Sequence, residues 1–93
     1  MNYLIKRPML HSNFELPTRE ELLDLKPRNF VKLIFTDKKG NNGERMWVKL
    51  TKIDLKEGSR YQGILDNNPL VLRIKLGTKI TFHPLDIIDF LTK

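Results

Sequence analysis

The chain has 93 residues, no cysteine and a formal net charge of +6. That length supports one domain with one modest core, and the missing cysteine excludes disulfides, thiolate nucleophiles and cysteine-bound zinc, so packing must hold the fold. The first residues contain no apolar stretch suited to a signal peptide, and no run approaches the ~20 apolar residues of a membrane span. A soluble protein of the reducing cytoplasm, with no membrane partner, is the expectation.

The positive charge is uneven. Residues 31–60 hold eight basic and four acidic side chains, so the excess sits on the central strands and their turns. Lysines there keep exposed strand faces and edges soluble, or they form a footprint for a polyanion.

Residues 1–16, punctuated by Pro8 and Pro17, show neither a helical nor a strand period and read as an arm packed by Tyr3, Leu4, Ile5, Met9 and Phe14. The remaining residues, 17–93, read as a single small β-rich domain. Thr18-Arg19-Glu20-Glu21 is a capping box that starts a short helix. Leu22, Leu23 and Leu25 give that helix an apolar side, and Lys26-Pro27 ends it, because a residue before proline is pushed out of the α region.

Phe30 to Thr36 alternates as a strand, with Val31, Leu33 and Phe35 on the better core face. Asp37 to Gly43 is a hairpin turn longer than the tight two-residue form. In the next strand, Glu44 to Leu50, the aliphatic row Met46, Val48 and Leu50 alternates with Trp47, Lys49 and Thr51. The tryptophan therefore lies opposite the clean apolar row.

Lys56-Glu57-Gly58-Ser59 makes a turn, Arg60 to Leu65 a third strand, Asp66-Asn67-Asn68-Pro69 a tight turn, and Leu70 to Ile74 a fourth strand. Lys79 to Phe82 reads as a further strand and His83-Pro84-Leu85-Asp86 as a turn that Asp86 caps. Ile87 to Leu91 fits a strand or a short helix, which periodicity alone does not separate. The predicted fold class is α+β, mainly β: a strongly bent antiparallel sheet or SH3-like open barrel of about five short strands with one N-terminal helix. Leu25-Lys26 before Val31-x-Leu33 is echoed by Ile74-Lys75 before Ile80-x-Phe82, a turn and a basic residue leading into a strand each time.

No pattern of catalytic or metal-ligating residues is apparent, and no cofactor is expected. His11 and His83 stand 72 positions apart without a second ligand-type neighbour at metal spacing. Asp86 with Asp89, and Glu20 with Glu21, are carboxylate pairs better explained by capping and by the positive end of a helix. Ser12 and Ser59 lack a His–Asp context, and Gly40 to Gly43 lacks the strand-loop-helix setting of a phosphate-cradling loop.

What remains is a surface. Lys32, Trp47, Lys49, Lys52, Arg60 and Tyr61, with Phe30 nearby, are the candidate binding residues, since bases stack on aromatic faces while lysine and arginine neutralise phosphates. Trp47 and Tyr61 can equally be cross-strand core partners.

From Phe14 to Phe90 the chain resembles a widespread bacterial family of small domains of unknown function. The family pattern is a short helix leading to a Leu-Lys-x-Gly-Asp-x-Val-Lys-Leu strand, then an Arg-Met-Trp-Val strand, Gly-x-Leu-Asn/Asp-Asn-x-Pro, and Gly-Asp-x-Ile-x-Phe followed by Ile-Ile-Asp. Leu25-Lys26, Val31 to Leu33, Glu44 to Val48, Gly63 to Pro69 and Gly77 to Asp89 occupy those places. The chain departs at both Gly-Asp turns, which here are Arg28-Asn29 and Gly77-Thr78. By analogy with immunity-type or accessory proteins the resemblance implies partner binding. With no catalytic constellation in the sequence, the leading expectation is a small non-enzymatic protein-binding domain of an inhibitor, immunity-type or accessory kind, and the alternative is nucleic-acid binding through the basic aromatic face.

Overall fold

The computed structural model describes residues 3–8, 16–54 and 60–92. The anticipated packing of Met9 and Phe14, the turn over residues 56–59, and His11, Ser12 and Ser59 lie outside them. The described residues form strands β1 (Leu4–Lys6), β2 (Phe30–Thr36), β3 (Glu44–Ile53), β4 (Tyr61–Leu65), β5 (Lys79–Phe82) and β6 (Asp89–Leu91), with a helix α1 (Arg19–Leu23) and a 3₁₀ turn at Pro84–Asp86. All pairings are antiparallel and run β1-β2-β3-β4-β5, with β6 on β2. The sheet curls into the mainly β half-barrel anticipated from the turn spacing.

The curl is built into β3. Its first part pairs with β2, from Phe35↔Glu44 to Phe30↔Lys49, and its second part with β4, from Val48↔Leu65 to Ile53↔Tyr61. A register shift between Leu50 and Lys52 leaves Thr51 as an extra residue, and such a bulge bends the strand and increases its twist. The inner face so formed buries Val31, Leu33, Phe35, Met46, Val48, Leu50, Tyr61, Leu65, Ile80 and Phe82. Leu22 and Leu25 from the helical segment, with Leu72, Ile74 and Ile87, join that core. Burying each such side chain contributes roughly 1.5–3 kcal/mol before the entropy of ordering is counted.

Helix α1 opens with the capping box read from the sequence: Glu21 N–H donates to Thr18 Oγ1 at 3.2 Å, and Thr18 N–H to Glu21 Oε1 at 2.8 Å. It ends earlier than the proline rule implies. Lys26 N–H donates to Asn29 Oδ1 at 2.8 Å, so it is not available to continue the helical ladder. This also explains why the polar Asn29 is buried.

Two further expectations change. Leu4–Lys6, read as part of an irregular arm, pairs with Thr36 to Ile34 on the β2 edge; three residues are too few to display a period, and the edge of β2 supplies their partners. Leu70 to Ile74 is not a strand. The Glu44 carboxylate takes the amides of Leu70, Val71 and Leu72, leaving those donors no sheet ladder to join, and β5 follows at Lys79 instead.

The faint internal echo has a geometric counterpart. Asn29 N–H donates to Lys26 O at 3.0 Å and Thr78 N–H to Lys75 O at 3.1 Å, with φ of 82° at Arg28 and 89° at Gly77, as a type II turn requires at its third residue. Each turn then clasps one strand leucine twice. Arg28 N–H donates to Leu50 O and Leu50 N–H to Asn29 O, both at 2.8 Å; Gly77 N–H donates to Leu65 O at 2.8 Å and Leu65 N–H to Thr78 O at 2.9 Å.

At Arg28 an L side chain occupies backbone space that favours glycine, a conformation costing roughly 1–2 kcal/mol. Arg28→Gly is therefore expected to stabilise the domain by about 0.5 kcal/mol after the greater freedom of glycine in the unfolded chain is deducted. Thermal unfolding should show a rise of a few degrees in Tm; a fall would mean that the arginine side chain holds the turn.

Asp37 organises the β2–β3 turn, accepting from Asn41 N–H at 2.8 Å, Lys39 N–H at 3.0 Å and Asn42 Nδ2 at 3.0 Å. The bond from the Asn41 amide is the main cause holding its carboxyl below the ordinary value of 3.8. A carboxyl lowered by folding adds stability above the unfolded value, and that contribution is lost as pH falls through the lower folded value.

Candidate functional site

Strand alternation divides the sheet into a buried inner face and an outer face. The helix meets the inner side, where Tyr61 Oη donates to Leu22 O at 3.3 Å. Outward positions line up across strands in rows set by the pairing register. One row runs Lys79, Ile64, Lys49, Phe30, Leu91 across β5, β4, β3, β2 and β6. A second runs Trp47, Lys32, Asp89, and a third Arg45, Ile34, Lys6. With strands about 4.8 Å apart, the first row extends about 19 Å.

Among the described residues, the outward strand positions carry the cations Lys6, Lys32, Arg45, Lys49, Lys52 and Lys79 against the single carboxylate Asp89. Ile34, Ile64, Leu91, Phe30 and Trp47 lie between them. Lys32 and Trp47 are direct cross-strand neighbours, and Lys32 Nζ stands 4.7 Å from the centre of the Trp47 ring. A cation over an aromatic face in a partly exposed setting contributes about 0.5–1 kcal/mol. One face of the half-buried indole is thus occupied by an ammonium group.

The backbone of Trp47 is fixed from the side. Its N–H donates to Asn67 Oδ1, and its carbonyl accepts from Asp66 N–H at 2.9 Å. Three residues away along each segment, the Glu44 carboxylate gathers Leu70 N–H at 3.2 Å, Val71 N–H, and Leu72 N–H at 3.1 Å. The segments Glu44 to Trp47 and Asp66 to Leu72 are therefore one construction, in which two polar side chains strap the loop after β4 along β3.

Of the predicted surface residues, Lys32, Trp47, Lys49 and Lys52 share the outer face, and exposed Arg60 stands just ahead of β4. Tyr61 does not belong with them. It is 1% exposed and points inward, edge-on to Phe82 with ring centres 6.1 Å apart. Pairing with Ile53 rather than with Trp47 sets its direction, so the two aromatics are neither cross-strand partners nor parts of one patch. Burial raises the Tyr61 phenol above its ordinary value of 10.0.

Sequence reasoning missed Glu44 and Asn67 as positioning residues. The available signal was parity, because Glu44 shares the alternation of Met46, Val48 and Leu50, and a charge in that row calls for a local partner. Lys6, Arg45 and Lys79 were also missed as outer-face cations, since only register joins them to Lys32 and Lys49.

Beside α1 lies an open, largely apolar groove of about 500 Å³, lined by Pro17, Arg19, Leu22, Leu23, Tyr61, His83, Pro84 and Leu85. His83 and Asp86 beside it are engaged in structure. His83 Nδ1 accepts from Leu85 N–H at 3.0 Å, while Asp86 accepts from His83 N–H at 3.0 Å and from Arg7 Nε at 3.1 Å. Asp86 thus caps the turn, as read from the sequence, while Asp89 stands on the outer face. No group of three or more His, Cys, Asp or Glu able to hold a metal occurs among the described residues, and none of their helices is long and apolar enough to cross a membrane.

No protein-family model matches the chain, and neither the curated proteins nor the solved structures contain a significant match.

Proposed function

We propose that this chain is a small non-enzymatic binding domain that engages a protein partner through its outer sheet face. The observation that carries this reading is the gathering of Lys6, Lys32, Lys49, Lys52 and Lys79 around aliphatic and aromatic side chains, with Asp89 the only carboxylate at the outward strand positions of the described residues. A face of that kind complements an acidic protein surface, where charge steers the encounter and buried apolar contacts supply adhesion.

The alternative is a nucleic-acid-binding module, which the Lys32 and Trp47 pair favours if the lysine moves to a phosphate and frees the ring. In the observed arrangement the ammonium covers one face of the indole, and Ile34 and Ile64 between the cations offer nothing to a phosphate. These two facts favour the protein partner.

A pull-down from host lysate with and without nuclease, read by mass spectrometry over a range of salt, separates the readings. Protein capture that survives nuclease is expected. Capture that disappears with nuclease, together with nucleic-acid affinity falling steeply with salt as several counterions are released, would transfer the face to the alternative.

A further inference from the structure

Leu70 is 95% exposed and Val71 63% exposed, the two most exposed large apolar side chains among the described residues. They are adjacent, and their backbone is pinned. The Glu44 carboxylate takes the amides of Leu70, Val71 and Leu72, the Leu72 side chain is buried in the core, and Asn67 and Asp66 tie the start of the loop to Trp47. A loop fixed in this way loses little further freedom when a partner closes over it, which is the condition for an effective anchor.

The surroundings are cationic. A depression of about 550 Å³ beside Val71 and Leu72 is lined by Lys38, Lys39 and Arg73, with Asn42 and Asp37. The Asp37 carboxylate is already engaged by Lys39 N–H, Asn41 N–H and Asn42 Nδ2. Three cations against the carboxylates of Asp37 and Glu44 leave the surroundings of the loop net positive.

We propose that Leu70 and Val71 form a preorganised apolar anchor that inserts into a hydrophobic pocket rimmed by acidic side chains on a protein partner. The proposal rests on the protein-binding reading above and adds a second point of contact, joined to the outer face through Trp47. A second copy of this chain is a poor occupant, because it brings the same lysines and arginine and a net charge of +6 to the contact. A phosphate backbone would meet the cations and leave both aliphatic side chains in water.

Carboxymethyl-β-cyclodextrin, an apolar cavity rimmed by carboxylates, is a suitable probe in an NMR titration of the isotope-labelled chain. Leu70 and Val71 resonances should move first and saturate, ahead of those of Leu76, Leu85 and Leu91. Binding should be about threefold or more tighter than with uncharged β-cyclodextrin at low salt. Leu70→Ser should abolish it, and Lys38→Gln with Arg73→Gln should remove the preference for the charged ring, both with unchanged Tm. Absence of shifts at Leu70 and Val71, equal shifts at the other exposed leucines, or equal affinity for both rings would overturn the proposal. So would Leu70-dependent binding to vesicles of phosphatidylserine and phosphatidylcholine, which would reassign the loop to a lipid surface. Lys32→Glu with Lys49→Glu leaves the loop untouched, so failure of the outer face and failure of the anchor give different results.

Discussion

Gly63→Ala is expected to destabilise the domain by about 2–4 kcal/mol, a large share of the 5–15 kcal/mol that holds a typical domain folded. The position does not need glycine for an unusual φ; it needs glycine because two strands approach there. A Cβ at Gly63 would stand 2.5 Å from the backbone oxygen of Lys49 and 2.5 Å from Val48 Cγ1. The side-chain contact alone could relax by a rotamer change. The carbonyl cannot retreat without opening the β3–β4 ladder beside the bulge at Leu50 and Lys52, where the sheet turns. A Tm lowered by roughly 10 °C or more follows for a domain of this size. A denaturation curve matching wild type would show that the close passage of the strands is not required.

Tyr61→Ala should be at least as damaging, at about 3–5 kcal/mol. The ring is 1% exposed, packs edge-on against Phe82 and reaches Leu22 O through its hydroxyl, so its removal leaves a void shared by the sheet and the helical cap. Tyr61→Phe keeps the ring and loses one hydrogen bond, worth about 1 kcal/mol. The same burial fixes the alkaline behaviour. Tyr61 and Tyr3 both hold their protons above the ordinary 10.0 because desolvation disfavours the phenolate. A group raised by folding contributes stability that is intact below its unfolded value and lost as pH rises through the higher folded value, so unfolding should become easier from about pH 10 upward. Tyr61→Phe should weaken that pH dependence, and an unchanged alkaline profile would contradict the assignment.

Much of this fold is legible in the sequence because alternation and capping are local. Thr18 and Glu21 suffice to start the helix, and the β2 and β3 inner rows follow from period two. Leu70 to Ile74 misleads for a nonlocal reason, since its amides are claimed by Glu44, 26 to 28 residues earlier. Tyr61 misleads in a similar way. An aromatic beside a basic residue reads as surface until the bulge and the pairing with Ile53 set its direction. The outer face was only half legible, because Lys32, Trp47 and Lys49 show their parity along the chain, whereas Lys6, Arg45 and Lys79 join them through strand pairing alone.

The division between an inner face that holds the fold and an outer face that serves a partner is tested most directly by one comparison. Lys32→Glu with Lys49→Glu changes two adjacent strands on the outer face without touching the core. Partner capture by the double variant, measured beside wild type after nuclease treatment, should be lost while the domain stays folded, its Tm lowered by roughly 5–10 °C through the lost Lys32–Trp47 contact and the new carboxylate opposite Asp89. Undiminished capture by the charge-reversed domain would contradict the account.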